Sequence, residues 1–245
     1  MDMLALLTPT RGRPRALAIC SDYVQRMGAA VWITIEGDQS GGQIAAMDDG
    51  YHIRRYQRSD LSKLMSLADS LREGIHFARI LAGNEPLQIA VIEDDDWYAP
   101  TYVHWLKKAL AESPLVGEGC AVYYNVWSRT YRKIQNTAHA SLCSTAWDDG
   151  QVGDTINRIL YDALSRDGFA EFIDVRLWRA FEGGKVWQPG VRRVVGLKGL
   201  PGKRGIGVGH QDQPNADPSM EYLRRLIGDD ADRYEKMYRH NAFTD

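Results

Sequence analysis

Cysteine is scarce: Cys20, Cys120 and Cys143 are widely spaced and form no Cys-X-X-Cys pair. That excludes a disulfide framework and argues against a zinc site, leaving three buried thiols of a reducing compartment. Long hydrophobic runs are missing as well. The opening "MLALL" is broken at once by "TPTRGRP", which is too short for a signal peptide or a membrane span. It is expected to be a first strand, in a cytoplasmic protein. There is no internal repeat, no low-complexity tract and no Ser/Gly linker. The net charge is only −2, and a near-neutral total neither requires nor excludes a local basic face for nucleic acid. What remains is ordinary for a soluble globular chain, with 44% hydrophobic and 25% charged residues over 245 positions. That length can bury the core of one large α/β domain.

Along the first hundred residues, strand-like and helix-like patterns alternate. Met3–Leu7 reads as a strand, and 14–26 as a helix with Pro14 suited to its first turn. "VWITI" (31–35) is a β-branched strand ending at the turn-rich "EGDQSGG", and 51–56 is a short polar strand. A long amphipathic helix follows, capped by Ser59 or Asp60 and ended by Gly83, with Leu61, Leu64, Met65, Ala68, Leu71, Ile75 and Ala78 on one stripe. Ile89, Val91 and Ile92 then form a buried-type strand, and a helix is expected over 100–113. Such alternation implies right-handed crossovers and a largely parallel sheet, in which ligands bind at the carboxyl ends of strands. Three polar clusters fall at such ends: "TPTRGRP", "EGDQSGG" and "EDDD". Beyond a soft boundary near 115 the pattern is less regular. A hairpin is expected over 119–136, helices over 153–168 and 174–181, strands and then a basic glycine-rich loop over 185–210, and a helical tail over 217–240.

The densest signal is "IAVIEDDDWYAP" (89–100), where Glu93, Asp94, Asp95 and Asp96 follow a hydrophobic strand with no basic neighbour. Four like charges there need a cation, since burial alone would raise their pKa values. Hard oxygen donors without adjacent His or Cys suit Mg²⁺ or Mn²⁺, with substrate phosphates filling the remaining positions. Strand alternation would turn Asp94 and Asp96 to one side. Late in the chain, "GLPGKRGIGVGH" (199–210) combines five glycines with Lys203 and Arg204 and ends on His210, as a lid closing on a diphosphate would.

These residues resemble the nucleotide-sugar half of family 2-like glycosyltransferases of the GT-A fold. "TPTRGRP", the acidic loop after the second strand, and an Asp-X-Asp motif at Asp94–Asp96 followed by an aromatic and Pro100 carry the likeness. The resemblance implies a Rossmann-like α/β fold: a mixed, mostly parallel sheet flanked by helices, with a smaller acceptor-side β/α region. It implies a nucleotide-sugar half over 1–115 and an acceptor half over 116–245. The donor would be a UDP- or GDP-sugar, with Mn²⁺ or Mg²⁺ held by Asp94, Asp96 and His210. Thr8 and Asp38 would meet the base or ribose. Arg11, Arg13, Asp95, Lys203 and Arg204 would line the nucleotide and its diphosphate. "FIDVRLWRAF" is similar to the family's acidic segment before a short helix, which makes Asp174 the candidate catalytic base.

The second half adds aromatics suited to stacking a sugar: Tyr123, Tyr124, Trp127, Tyr131, Trp147, Trp178 and Trp187. Arg129, Arg132 and Lys133, together with Arg192, Arg193, Lys198, Lys203 and Arg204, could form one basic face. The loop over 199–210 also looks like that of phage-type enzymes that glycosylate hydroxymethylated bases, which makes modified DNA a candidate acceptor. Two other classes compete. A nucleotidyltransferase also uses strand-end acids and a metal, but normally carries a glycine-rich signature after its first strand, where this chain has only Gly12. A nucleotide- or DNA-binding module without turnover is the other. The sugar, the acceptor and the stereochemical outcome stay open at this level.

Overall fold

A computed structural model describes residues 2–28, 31–36, 52–57, 67–165, 172–200 and 213–241. Elements follow in the order β1 (Met3–Thr10), α1 (Pro14–Met27), β2 (Val31–Glu36), β3 (His52–Gln57), α2 (Leu67–Ala82), β4 (Leu87–Val91), β5 (Trp97–Tyr98), α3 (Tyr102–Leu110), β6 (Leu115–Glu118), β7 (Val122–Asn125) and β8 (Thr130–Lys133). They continue with β9 (Thr145–Asp148), α4 (Asp149–Ser165), α5 (Ile173–Ala180), β10 (Gly184–Trp187), β11 (Val194–Lys198), β12 (Asn215–Ala216), α6 (Glu221–Ile227) and α7 (Ala231–Asn241).

The strands form two sheets. The larger runs β10-β6-β9-β4-β1-β2-β3, and the smaller β12-β8-β7-β11-β5. Within the larger sheet β4, β1, β2 and β3 are mutually parallel, and β9 enters antiparallel between β4 and β6. Every residue of β2 and β4 is buried. That is the expected state of a parallel strand covered on both faces, and it accounts for their mostly apolar sequences. On β1, Leu4 and Leu6 join the layer of α1 and α3, while Ala5 and Leu7 join that of α2, α4 and α5. The period-2 geometry of a strand divides them so.

The halves separated near residue 115 share the larger sheet, because β6, β9 and β10 come from beyond that point. Two expected details shift. The helix placed over 100–113 starts at Tyr102, with Thr101 before it rather than Pro100 in its first turn. The strand β9, "TAWD", has no counterpart in the sequence reading; it is a four-residue insertion held by neighbours distant in the chain. No helix among the described residues is long and apolar enough to cross a membrane. The consequence for the site is positional: β1 and β4 end side by side, and β11 of the second sheet pairs with β5, which follows the acids directly.

Candidate active site

The acids occupy a tight turn between β4 and β5, not the strand itself. The Asp96 N–H donates to the Glu93 carbonyl at 3.3 Å, and the Ile92 N–H to Leu7 at 2.8 Å. Strand alternation therefore does not set their directions, and Asp94 and Asp96 point to different partners. Asp94 accepts the Thr10 hydroxyl at 2.6 Å and pairs with Arg13 Nη2 at 2.6 Å, while Arg13 Nη1 reaches Asp95 at 2.7 Å. Asp96 Oδ1 accepts the Leu197 N–H and Lys198 Nζ, each at 2.9 Å. Lys198 Nζ also meets Glu93 at 3.0 Å and Asp95 at 3.4 Å. The cations required by four clustered acids thus include two of the chain's own, one from the β1–α1 connection and one from the end of β11.

Local sequence explains both arrivals. Gly12 has φ +61° and turns the chain out of β1, so that Arg13 stands at the start of α1. After Lys198, Gly199 takes φ +75°, and a Cβ there would lie 2.2 Å from Asn125 Oδ1. Asn125 in turn accepts the Trp127 and Ser128 N–H groups, and the Val126 N–H donates to the Lys198 carbonyl. The β7–β8 turn and the end of β11 are therefore built as one piece.

Burial dominates the electrostatics. It pushes Asp94 up to about 7, against the pull of Arg13, and Asp96 up to about 8, against that of Lys198. For Lys198 burial works downward, but Asp95, Asp96 and Glu93 outweigh it and the ammonium is held well above its ordinary value. Formally, four carboxylates and two cations leave an excess of two negative charges. Glu93, Asp96 and Cys143 each offer a ligand atom, all within 4.8 Å of one another. Asp96 Oδ2 is fully buried, with no hydrogen-bond partner among the described residues. The two carboxylates and the excess charge fit one divalent cation, while burial holds the Cys143 thiol well above its ordinary pKa and so protonated.

Among the described residues Glu93, Asp96 and Cys143 bring potential ligand atoms together, while Asp94, expected beside Asp96 at the metal, is engaged by Thr10 and Arg13. Thr8 is also corrected. It is fully buried, and its hydroxyl accepts the Trp32 indole N–H at 2.8 Å; the hydroxyl of β1 that reaches the acids belongs to Thr10. Arg11 is half-buried in the same β1–α1 connection as Arg13. Asp38, Lys203, Arg204 and His210 lie outside the described residues.

Asp174 lies in the first turn of α5, where it accepts the Val175 N–H at 2.8 Å. Burial raises its pKa, opposed by the Val175 N–H and by His139, and Glu93 pushes it up further. Asp174 and the acidic turn therefore share one electrostatic neighbourhood. The segment 139–144 lies between them: the Tyr98 hydroxyl donates to the Cys143 carbonyl at 3.1 Å and accepts the Glu93 N–H at 2.8 Å. Phe172, just before α5, has φ +64° and is 65% exposed, a strained posture for a large side chain.

Of the aromatics singled out in the second half, Tyr124, Trp147 and Trp178 are core, while Trp127 is 54% exposed beside the end of β11. Of the expected basic face, Lys198 is buried on the acids, Arg193 is paired with Glu118 at 2.7 Å, and Arg192 donates to the Cys120 carbonyl. Arg132 and Lys133 remain exposed on β8. Sequence reasoning did not assign Thr10, Cys143 or Lys198 to the donor site. Only Thr10 carried a signal, as the last residue of the polar strand end.

No protein-family model matches the chain, and no curated protein matches it in sequence. Solved structures do. The structure of S. aureus TarS 1–349 aligns with a TM-score of 0.57 at 9% identity, over 80% of this chain and 60% of that one. S. aureus TarS 1–349 in complex with UDP-GlcNAc aligns with a TM-score of 0.55 at 10% identity, over 100% of this chain and 75% of that one. The chain thus spans well under the full length of the first of these structures. At such identities the likeness is one of fold: the mixed α/β, GT-A-type arrangement.

Proposed function

We propose that the protein is a nucleotide-sugar-dependent glycosyltransferase that transfers a sugar from a UDP-sugar to an acceptor hydroxyl. The observation that carries this reading is the convergence of the acidic turn and Arg13 at the carboxyl ends of β1 and β4, with Asp174 within the electrostatic reach of Glu93. A fold shared with a protein crystallised with UDP-GlcNAc supports it. Arg13 orients Asp94 and Asp95 at the diphosphate end of the donor. Glu93 and Asp96 would hold Mn²⁺ or Mg²⁺, which when bound supplies positive charge for the departing nucleotide diphosphate. Asp174 takes the proton of the acceptor hydroxyl as that oxygen bonds to the anomeric carbon. The bond from the anomeric carbon to the diphosphate oxygen breaks, and its electron pair leaves with the nucleotide. A carboxylate of raised pKa is a stronger base than a solvent-exposed one.

Exposed Trp127, next to Lys198 and Gly199, fits a sugar-stacking surface for the acceptor. Modified DNA as acceptor keeps Arg132 and Lys133 and loses Arg192, Arg193 and Lys198, which are engaged internally. Labelled sugar transfer to hydroxymethyl-containing duplex DNA tests that acceptor directly.

The donor reading is tested by thermal unfolding with UDP- and GDP-sugars, with and without Mn²⁺. The melting temperature is expected to rise with a UDP-sugar and Mn²⁺ together, and the rise, measured from each protein's own baseline, to vanish in Asp96→Ala. No shift with any donor and either metal would overturn the reading. Mass spectrometry of the nucleotide released then separates turnover from mere binding.

A further inference from the structure

We propose that Lys198 is an exchangeable counter-ion: in the donor-free protein its ammonium occupies the place of a divalent cation between Glu93 and Asp96, and metal entry displaces it. The inference rests on the reading of the acidic turn as the diphosphate end of a donor site, and it assigns a role to a residue for which that reading has no separate use.

Three observations carry it. Lys198 Nζ is 3.0 Å from Glu93 Oε2 and 2.9 Å from Asp96 Oδ1, carboxylates of the same two residues that, with Cys143, form the metal-competent group. A divalent ion binds carboxylate oxygens at roughly 2.0–2.6 Å, so ion and ammonium on the same oxygens would stand within a few ångströms, two positive charges in a buried site. They cannot both occupy those oxygens. Second, Asp96 Oδ2 is buried without a hydrogen-bond partner among the described residues. The ammonium therefore leaves part of the donor set unused, which a cation of higher charge and coordination number would engage. Third, Lys198 meets Glu93, Asp95 and Asp96 through one ammonium on a flexible four-carbon stem, whereas Arg13 grips Asp94 and Asp95 with two nitrogens of one planar fork. Of the two resident cations, Lys198 is the one built to leave. Its backbone stays fixed, since the Val126 N–H donates to the Lys198 carbonyl at 2.8 Å. The displaced ammonium thus remains tethered beside the metal, as a second positive charge for a diphosphate.

The test is Mn²⁺ binding to the full chain without nucleotide, read from the electron paramagnetic resonance signal of free Mn²⁺. K198M is expected to bind Mn²⁺ at least about tenfold tighter than wild type, because a unit charge is removed from beside the site, and K198R to stay near the wild-type value. Unchanged or weaker binding by K198M, or no binding by any of the three proteins, overturns the proposal. Should K198M fail to fold, the wild type still decides. With lysines labelled at Cε, Mg²⁺ should move one resonance, identified by its loss in K198R, and UDP should move it again. Mg²⁺ binding that leaves this resonance in place overturns the exchange, and silence towards UDP overturns the tethered second charge. The Mn²⁺ measurement needs no donor turnover, so a failed exchange leaves the glycosyltransferase reading standing, and a failed donor screen leaves the exchange standing.

Discussion

The acidic turn and the start of α5 hold carboxylates in opposite ways. In the turn, Asp94, Asp95 and Asp96 are each met by a cation within 3.4 Å and are almost wholly buried. At α5, Asp174 is half-buried and receives backbone N–H donors, with His139 as a positive influence. Breaking a buried ion pair strands a charge, whereas replacing a backbone-held carboxylate by its amide keeps an acceptor oxygen for the N–H groups. The turn is therefore bound into the fold and serves charge. On the proposed function, Asp174 is the carboxylate that takes up the acceptor's proton.

The sharpest way to break this contrast is Asp174→Asn. Transfer is expected to fall by roughly 10²–10⁴-fold, with the melting temperature nearly unchanged; a large loss of stability with modest loss of rate would reverse the roles. The pH profile gives the same residue a second signature. A raised carboxyl pKa means that the active, deprotonated base is lost as pH falls through a value above the ordinary ~4 for aspartate. The acid limb of kcat/KM should lie above that range in wild type, and Asp174→Asn should change its shape by removing one of its carboxyl groups, leaving those of Asp94 and Asp96. Arg13→Met probes the other side. It leaves Asp94 and Asp95 without their guanidinium and should lower stability by about 3–5 kcal/mol, measured by denaturant titration. A cost well below that would mean the turn is not bound into the fold as its geometry indicates. The smallest effect belongs to Phe172→Gly. Relief of the left-handed backbone at φ +64° should stabilise by about 1 kcal/mol, with little packing lost from so exposed a ring.

How much of this was legible in the sequence follows from how local each feature is. β1, α1, β2 and β4 come from mostly apolar runs, a proline at a helix start and glycine at its end, all readable within a few residues. The acidic turn was legible as a cluster and misread in detail, because "EDDD" continues a strand on paper while the 93–96 hydrogen bond closes a turn. Arg13 was legible from its place after the first strand. Lys198 was not: in "VVGLKG" it is one cation of a basic stretch, and only the pairing of β11 with β5 and β7 brings it to the acids. Cys143 and β9 lie in a segment with no periodicity, where long-range pairing decides the structure.

The partners of the acidic turn are far away along the chain. Arg13 and Thr10 lie 82 and 84 positions from the aspartates they bind, and Lys198 lies 102 from Asp96 and 105 from Glu93. Until both sheets have closed, the four acids repel one another with nothing to answer them, and closing chains of that length costs entropy before any contact repays it. Self-repulsion keeps this stretch hydrated and open while β1, β2 and β4 gather around it. In time, as opposed to space, the acidic turn is expected to be the last place to become one object.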